Sequence, residues 1–278
     1  MNAFLTLVHL TIHEALRRKV LLALFVCGAA FLALYATGFH FIAADIARHT
    51  VGEAVQRRIA LTFFTLAGLY VVKFLTIMTA VLLPVDTLSG EIASGVMQTV
   101  AAKPIRRSTI VLGKWAAFAL VMAAYLALMA GGVLLVARAI GHLTPPHVAI
   151  GLPLIALEGL ILLSLSIAGG ARFSTITNGI VAFGLYGLAF IGSWVEQIGA
   201  MLGNETARTV GTIASLIMPS EAMWLLAAHH MQPPLMRDLQ LSPFSPASVP
   251  TPAMVWWAAG YVVLALAIAV RTFRKRAL

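Results

Sequence analysis

The chain has 278 residues, 60% of them hydrophobic and only 10% charged, with a mean hydropathy of +0.95. Soluble domains run at about 45–50% apolar and about 25% charged residues, so a soluble globular enzyme is excluded and a polytopic membrane protein is the natural class. The net charge of +9 invites a nucleic-acid reading, but its distribution points to topology and lipid instead, and the single Cys27 excludes an intrachain disulfide.

At the start, Phe4, Leu5, Val8, Ile12, Ala15 and Leu16 recur at helical spacing, with Asn2, Thr6, His13, Glu14, Arg17 and Arg18 largely elsewhere. Residues 1–19 are expected to form an amphipathic helix in the inner interface, or a straight extension of the first span. A hydrocarbon core of about 30 Å needs about 20 mostly apolar helical residues. Six stretches qualify: residues 20–42, 59–83, 115–137, 148–170, 175–195 and 253–270. The first is too long for the apolar region of a cleavable signal and is expected to stay as an anchor. The fourth and fifth are separated only by residues 171–174, with Gly169, Gly170 and Arg172 supplying the break, so they form a tight hairpin.

Two charges fall inside these spans. Lys73 lies near the middle of the second and Glu158 near the middle of the fourth, at similar depth from the outer ends. A lone lysine at mid-membrane costs roughly 2.5–3.5 kcal/mol, so the two are expected to pair or to face a wet cavity that serves as a substrate path. The alternative is a snorkelling Lys73 in a shifted span.

A polar island, residues 84–114, separates the second and third spans and reads PVDTLSGEIASGVMQTVAAKPIRRSTIVLGK. Asp86, Thr87 and Ser89 are helix-capping types, and Glu91 suits a first turn. Ile92, Val96, Met97 and Val100 make a short apolar face, and Gly90 and Gly95 permit a bend or a close approach. Pro104 ends the run, and Ser108 is expected to cap the helix entering the third span. One or two short helices and a basic corner at Arg106, Arg107 and Lys114 result. A plain topological loop does not need these caps and glycines.

Between the last two spans, residues 196–252 form a long outer segment. Its first part is moderately apolar, with Pro219 between two stretches too short to cross, as in re-entrant or interfacial helices. Residues 232–252 are rich in Pro and Ser and read as an extended loop. His229 and His230, with Met223, Met231 and Met236 nearby, are weak candidates for a soft metal; plain polar surface is the simpler reading.

With the N-terminus in the cytosol, inner segments carry twelve basic and three acidic residues and outer segments carry six of each. The positive-inside rule then sets both termini in the cytosol. The single membrane domain, 1–278, is all-α: six transmembrane helices, an interfacial N-terminal helix (1–19), a cytosolic loop (84–114) and an outer re-entrant segment (196–252).

The arrangement Gly90-Glu91, Gly95, Pro104, Arg107, Ile110 and Gly113-Lys114 resembles the cytosolic segment of type-2 ABC transporter permeases. That consensus runs roughly G-E-x-x-x-G-T, a gap, P-x-x-R, then G-K entering the third span. Here Val96 stands where the family usually has Thr. The likeness in topology extends along the whole chain. It implies an exporter in which two such subunits, expected here to be a homodimer, assemble with two cytosolic ABC ATPase subunits. Coupling helices in the loop after the second span would dock into a groove on the ATPase. It assigns ATPase coupling to Gly90, Glu91, Gly95, Pro104, Arg106 and Arg107. It implies no cofactor on this chain, with ATP and Mg on the partner, and a multi-pass protein of the bacterial inner membrane.

No phosphate-binding G-x-x-x-x-G-K-[ST] loop occurs, since Gly113-Lys114 is followed by Trp115. No catalytic triad is discernible, so the expectation is a transport subunit that is not catalytic alone. Its competitors are an ion-coupled secondary transporter or channel gated by Lys73 and Glu158, and a membrane enzyme or assembly factor.

Overall fold

A computed structural model describes residues 3–49, 54–93, 106–239, 242 and 244–275. Gly95, Val96 and Pro104 lie outside the described residues, as does the apolar face from Val96 to Val100. Among the described residues every regular element is a helix: α1 (Ala3–Arg17), α2 (Lys19–His49), α3 (Ala54–Leu82), α4 (Thr87–Ala93), α5 (Arg107–Gly141), α6 (Val148–Gly170), α7 (Thr175–Leu202), α8 (Glu205–Ile217), α9 (Ser220–Met231), α10 (Pro234–Asp238) and α11 (Ala253–Lys275). Six of them, α2, α3, α5, α6, α7 and α11, are long and apolar enough to cross a bilayer.

Each spanning helix outruns its expected apolar stretch or equals it. The 35 residues of α5 reach about 52 Å at ~1.5 Å per residue, well beyond the ~30 Å hydrocarbon layer. Apolarity marks only the lipid-immersed part, and the polar ends continue the same hydrogen-bonding ladder. This corrects the expected cap at Ser108. The N-cap is Arg106, in extended conformation and without a side-chain cap bond, and Ser108 already lies inside α5.

The core is built around α3 and α6. Leu66, Leu69, Val72, Ile77, Ala80 and Val81 of α3 meet Ile155, Ile161, Leu162 and Leu163 of α6, all essentially inaccessible. Helices α2 and α11 keep most of their surface outward. The apolar stripe of α1 is divided. Val8 and Ala15 are buried, while Leu5 and Leu16 are exposed. The helix lies against α5 at Gly113, where an added Cβ would come within 3.2 Å of Leu7 Cβ.

Helices α7 and α8 form a close antiparallel pair that depends on small residues. An added Cβ would fall 2.3 Å from Ala214 Cβ at Gly192 and 2.3 Å from Glu196 Cβ at Gly211. Close approach replaces apolar burial as the source of cohesion where lipid is the solvent. Helix α9 then turns through 107° relative to α8, with Pro219 in the break. It is buried on nearly all sides, from Ser220 to Met231, and packs against α6. The following segment is not wholly extended, as its Pro and Ser content suggested. Pro233 and Pro234 open the short helix α10, because a proline at the first helical position sacrifices no ladder bond.

Candidate functional site

Two places gather the chemistry. The first is the end of the bundle that holds α1, α4 and the α6–α7 hairpin. Leu83 to Asp86 make a turn after α3, closed by Thr87 N–H donating to Pro84 O at 2.9 Å. The chain resumes as α4 and is tied to its neighbours at three points. Thr175 Oγ1 donates to Asp86 Oδ1 at 2.9 Å and lies 2.9 Å from Ser89 Oγ. Asn178 Nδ2 donates to Val85 O at 3.3 Å and to Ser166 O at 2.8 Å. Glu91 is ion-paired with Lys114 of α5.

These contacts explain several glycines. At Gly90 an added Cβ would meet Asp86 Oδ1 at 2.3 Å, and at Gly169 it would meet Asn178 Oδ1 at 2.1 Å. Both positions therefore keep a cross-connecting side chain in place. The sequence reading put Glu91 toward a partner. The structure places its carboxylate against Lys114, which is nearly buried. Arg107 donates to Arg274 O at 3.1 Å and to Phe273 O at 3.4 Å, satisfying carbonyls in the last turn of α11. Arg106 is exposed at the mouth of α5.

The second place is inside the bundle. Lys73 is wholly buried, which rules out snorkelling. The structure does bring Lys73 and Glu158 together, with Nζ 3.5 Å from Oε1. That distance is longer than a charge-assisted hydrogen bond of about 2.7–2.9 Å. The hydrogen bonds go instead to Glu221 at the start of α9, with both carboxylate oxygens 2.7 Å from Nζ. Among the described residues neither oxygen of Glu158 has a hydrogen-bond partner. Three aromatic rings enclose the ammonium: Tyr70 at 4.8 Å, Trp224 at 5.5 Å and Tyr186 at 5.9 Å from ring centroids.

Glu221 was missed by the sequence reading, which assigned it to an outer segment. Its one signal was an acidic residue at the head of an apolar helix just after a proline, and that pattern also fits an ordinary helix start. Beside Glu221 opens a cavity of about 650 Å³, walled by Tyr70, Trp194, Trp224, Phe244, Gln197 and Ser245 among others. Two of its lining residues are fixed by polar bonds. Gln197 Nε2 donates to Ser248 O at 3.0 Å, and Gln232 Nε2 donates to Phe244 O at 2.6 Å.

His229 and His230 sit in the last turn of α9 with ring centroids 5.7 Å apart. Met223, Met231 and Met236, the thioethers considered with them, are fully buried as packing groups. Among the described residues no three His, Cys, Asp or Glu side chains converge as a metal site would require.

A comparison of the sequence with protein-family models returned no match, and neither did a search among curated proteins.

Proposed function

We propose that this chain is the permease subunit of an ATP-driven ABC exporter. In this reading it lies in a bacterial inner membrane with both termini cytosolic, works as a homodimer, and takes its energy from separate ABC ATPase subunits that hold ATP and Mg. The observation that carries the reading is the wiring of α4. This short helix follows the second span, sits at the basic end, and is bonded both to the α6–α7 hairpin and to α5. A displacement of α4 is thereby transmitted to three spanning helices at once. That is what a coupling element must do, and a topological loop has no use for it.

The roles divide accordingly. Glu91 carries motion inward through Lys114, and Gly90 lets α4 lie close under Asp86. Gly95 and Pro104 fall in the part of the loop that would meet the ATPase, with Arg106 beside it. Arg107 ties the third span to the end of the last one. At the opposite end, α8 and α9 act as a re-entrant pair closing the outer side, and the Lys73–Glu221 bond latches α9 to α3.

A second reading has one observation of its own. A buried lysine with two carboxylates is also what an ion-coupled transporter uses. The two part in a co-purification. The chain, expressed with the soluble proteins of its adjacent reading frames and solubilised gently, is expected to bring down a phosphate-loop ATPase in equal number. A chain that purifies alone, while the ATPase stays in the soluble fraction, contradicts the permease reading.

A further inference from the structure

With its three side chains ionised, the Lys73–Glu158–Glu221 cluster holds one ammonium against two carboxylates, and is one positive charge short. The shortfall is placed unevenly. Glu221 takes both hydrogen bonds from Lys73, at 2.7 Å each, while Glu158 is fully buried with neither oxygen hydrogen-bonded. A buried carboxylate without donors is costly, and native structures rarely leave one without a purpose. Glu158 nonetheless lies only 3.5 Å from the same ammonium.

The cavity meets this cluster at Glu221. Tyr70, Trp194, Trp224 and Phe244 supply aromatic faces there, and among the described residues no second charged side chain lines it. Its volume of about 650 Å³ falls within the ~300–1,000 Å³ of small-molecule sites. Aromatic faces around a carboxylate suit a lipophilic cation that brings little hydration with it.

We infer that the cavity binds an amphipathic organic monocation, and that its arrival switches Lys73 from Glu221 to Glu158. The cation takes the Glu221 carboxylate. Lys73 moves the short remaining distance to Glu158, whose oxygens are open to accept it. Two neutral pairs replace one pair and a buried carboxyl without donors, and any proton that Glu158 carries leaves to water as Lys73 arrives. The same exchange removes the bond that holds α9 to α3, so binding and unlatching of the outer segment are one event. The inference names the substrate class of the permease proposed above, but its test needs no ATPase.

The probe is radiolabelled tetraphenylphosphonium, titrated onto the chain in nanodiscs of zwitterionic phosphatidylcholine, with empty nanodiscs subtracted. One saturable site per chain is expected, and tetraphenylborate, the anion of the same shape, does not compete for it. Glu221→Gln weakens binding about tenfold or more, the scale of a lost close charge pair. Glu158→Gln does the same, although Glu158 does not line the cavity, because it removes the charge deficit. That variant loses no hydrogen bond and keeps the Lys73–Glu221 pair, so it is expected to fold and to melt no lower than wild type. Absence of saturable binding, equal competition by tetraphenylborate, or undiminished binding in a folded Glu158→Gln variant overturns the inference. If the phosphonium binds as described while no ATPase associates, the permease reading alone fails.

Discussion

Lys73→Met is expected to destabilise the folded chain by roughly 3–5 kcal/mol, the usual cost of removing one partner from a buried ion cluster. The substitution nearly conserves volume and leaves two carboxylates facing each other among Tyr70, Tyr186 and Trp224. Among the described residues neither carboxylate has another cation, since the salt bridges of Glu158 and Glu221 are both to Lys73. The triple variant Lys73→Met, Glu158→Gln, Glu221→Gln is uncharged and is expected to recover most of the loss, because a neutral isostere of a buried ion pair is often nearly as stable. Thermal unfolding in detergent, followed by monodisperse elution, measures both. A Lys73→Met protein that melts with wild type would mean that the three groups do not form one electrostatic unit.

On the proposed permease reading, separating α4 from α5 is expected to uncouple ATP hydrolysis without releasing the ATPase. Lys114 is nearly buried and Glu91 is its ion-pair partner. Glu91→Ala removes the carboxylate of this pair, and Lys114→Ala removes its ammonium. Either change removes this ion pair and substitutes no residue of 94–106. The stimulation of the ATPase by the permease is expected to fall about tenfold, equivalent to ~1.4 kcal/mol of coupling. Exchanging the two, as Glu91→Lys with Lys114→Glu, should restore part of it. A pull-down run in parallel separates coupling from association. If either single variant loses the ATPase altogether, Glu91 and Lys114 belong to the docking surface and not to the link.

How much of this was legible beforehand depends on where each constraint acts. The six spans were readable because a bilayer imposes length and apolarity on contiguous residues, and nothing tertiary is needed to see it. The hairpin at residues 171–174 was readable for the same reason. Lys73 and Glu158 stood out as charges where charges are costly, and equal depth brought them together on paper. Glu221 did not stand out. It lies 148 positions from Lys73 in a helix too short to cross, and only the fold of α8 back on α7 carries α9 into the bundle. That fold rests on glycines at 192 and 211, whose meaning emerges only when two helices are opposed. Ser108 was misassigned because a capping residue type is permitted in several places, and the first turn of α5 started two residues earlier. The internal pairing of Glu91 was hidden likewise. A glutamate in a polar loop reads as exposed until Lys114, about two turns into the next helix, is placed beside it.

The central claim is that ATP on a partner protein moves the helices of this chain. The most direct measurement is a distance between spin labels at Arg58, near the N-terminal end of α3, and Arg237, just beyond α9. They would be placed as cysteines in a Cys27→Ser background and diluted with unlabelled chain. In proteoliposomes containing the ATPase, trapping ATP is expected to shift that distance distribution by several ångströms as α9 parts from α3, with no shift when the ATPase is omitted. A distribution unchanged by ATP, or one that shifts under an ion gradient with no ATPase present, would contradict the account.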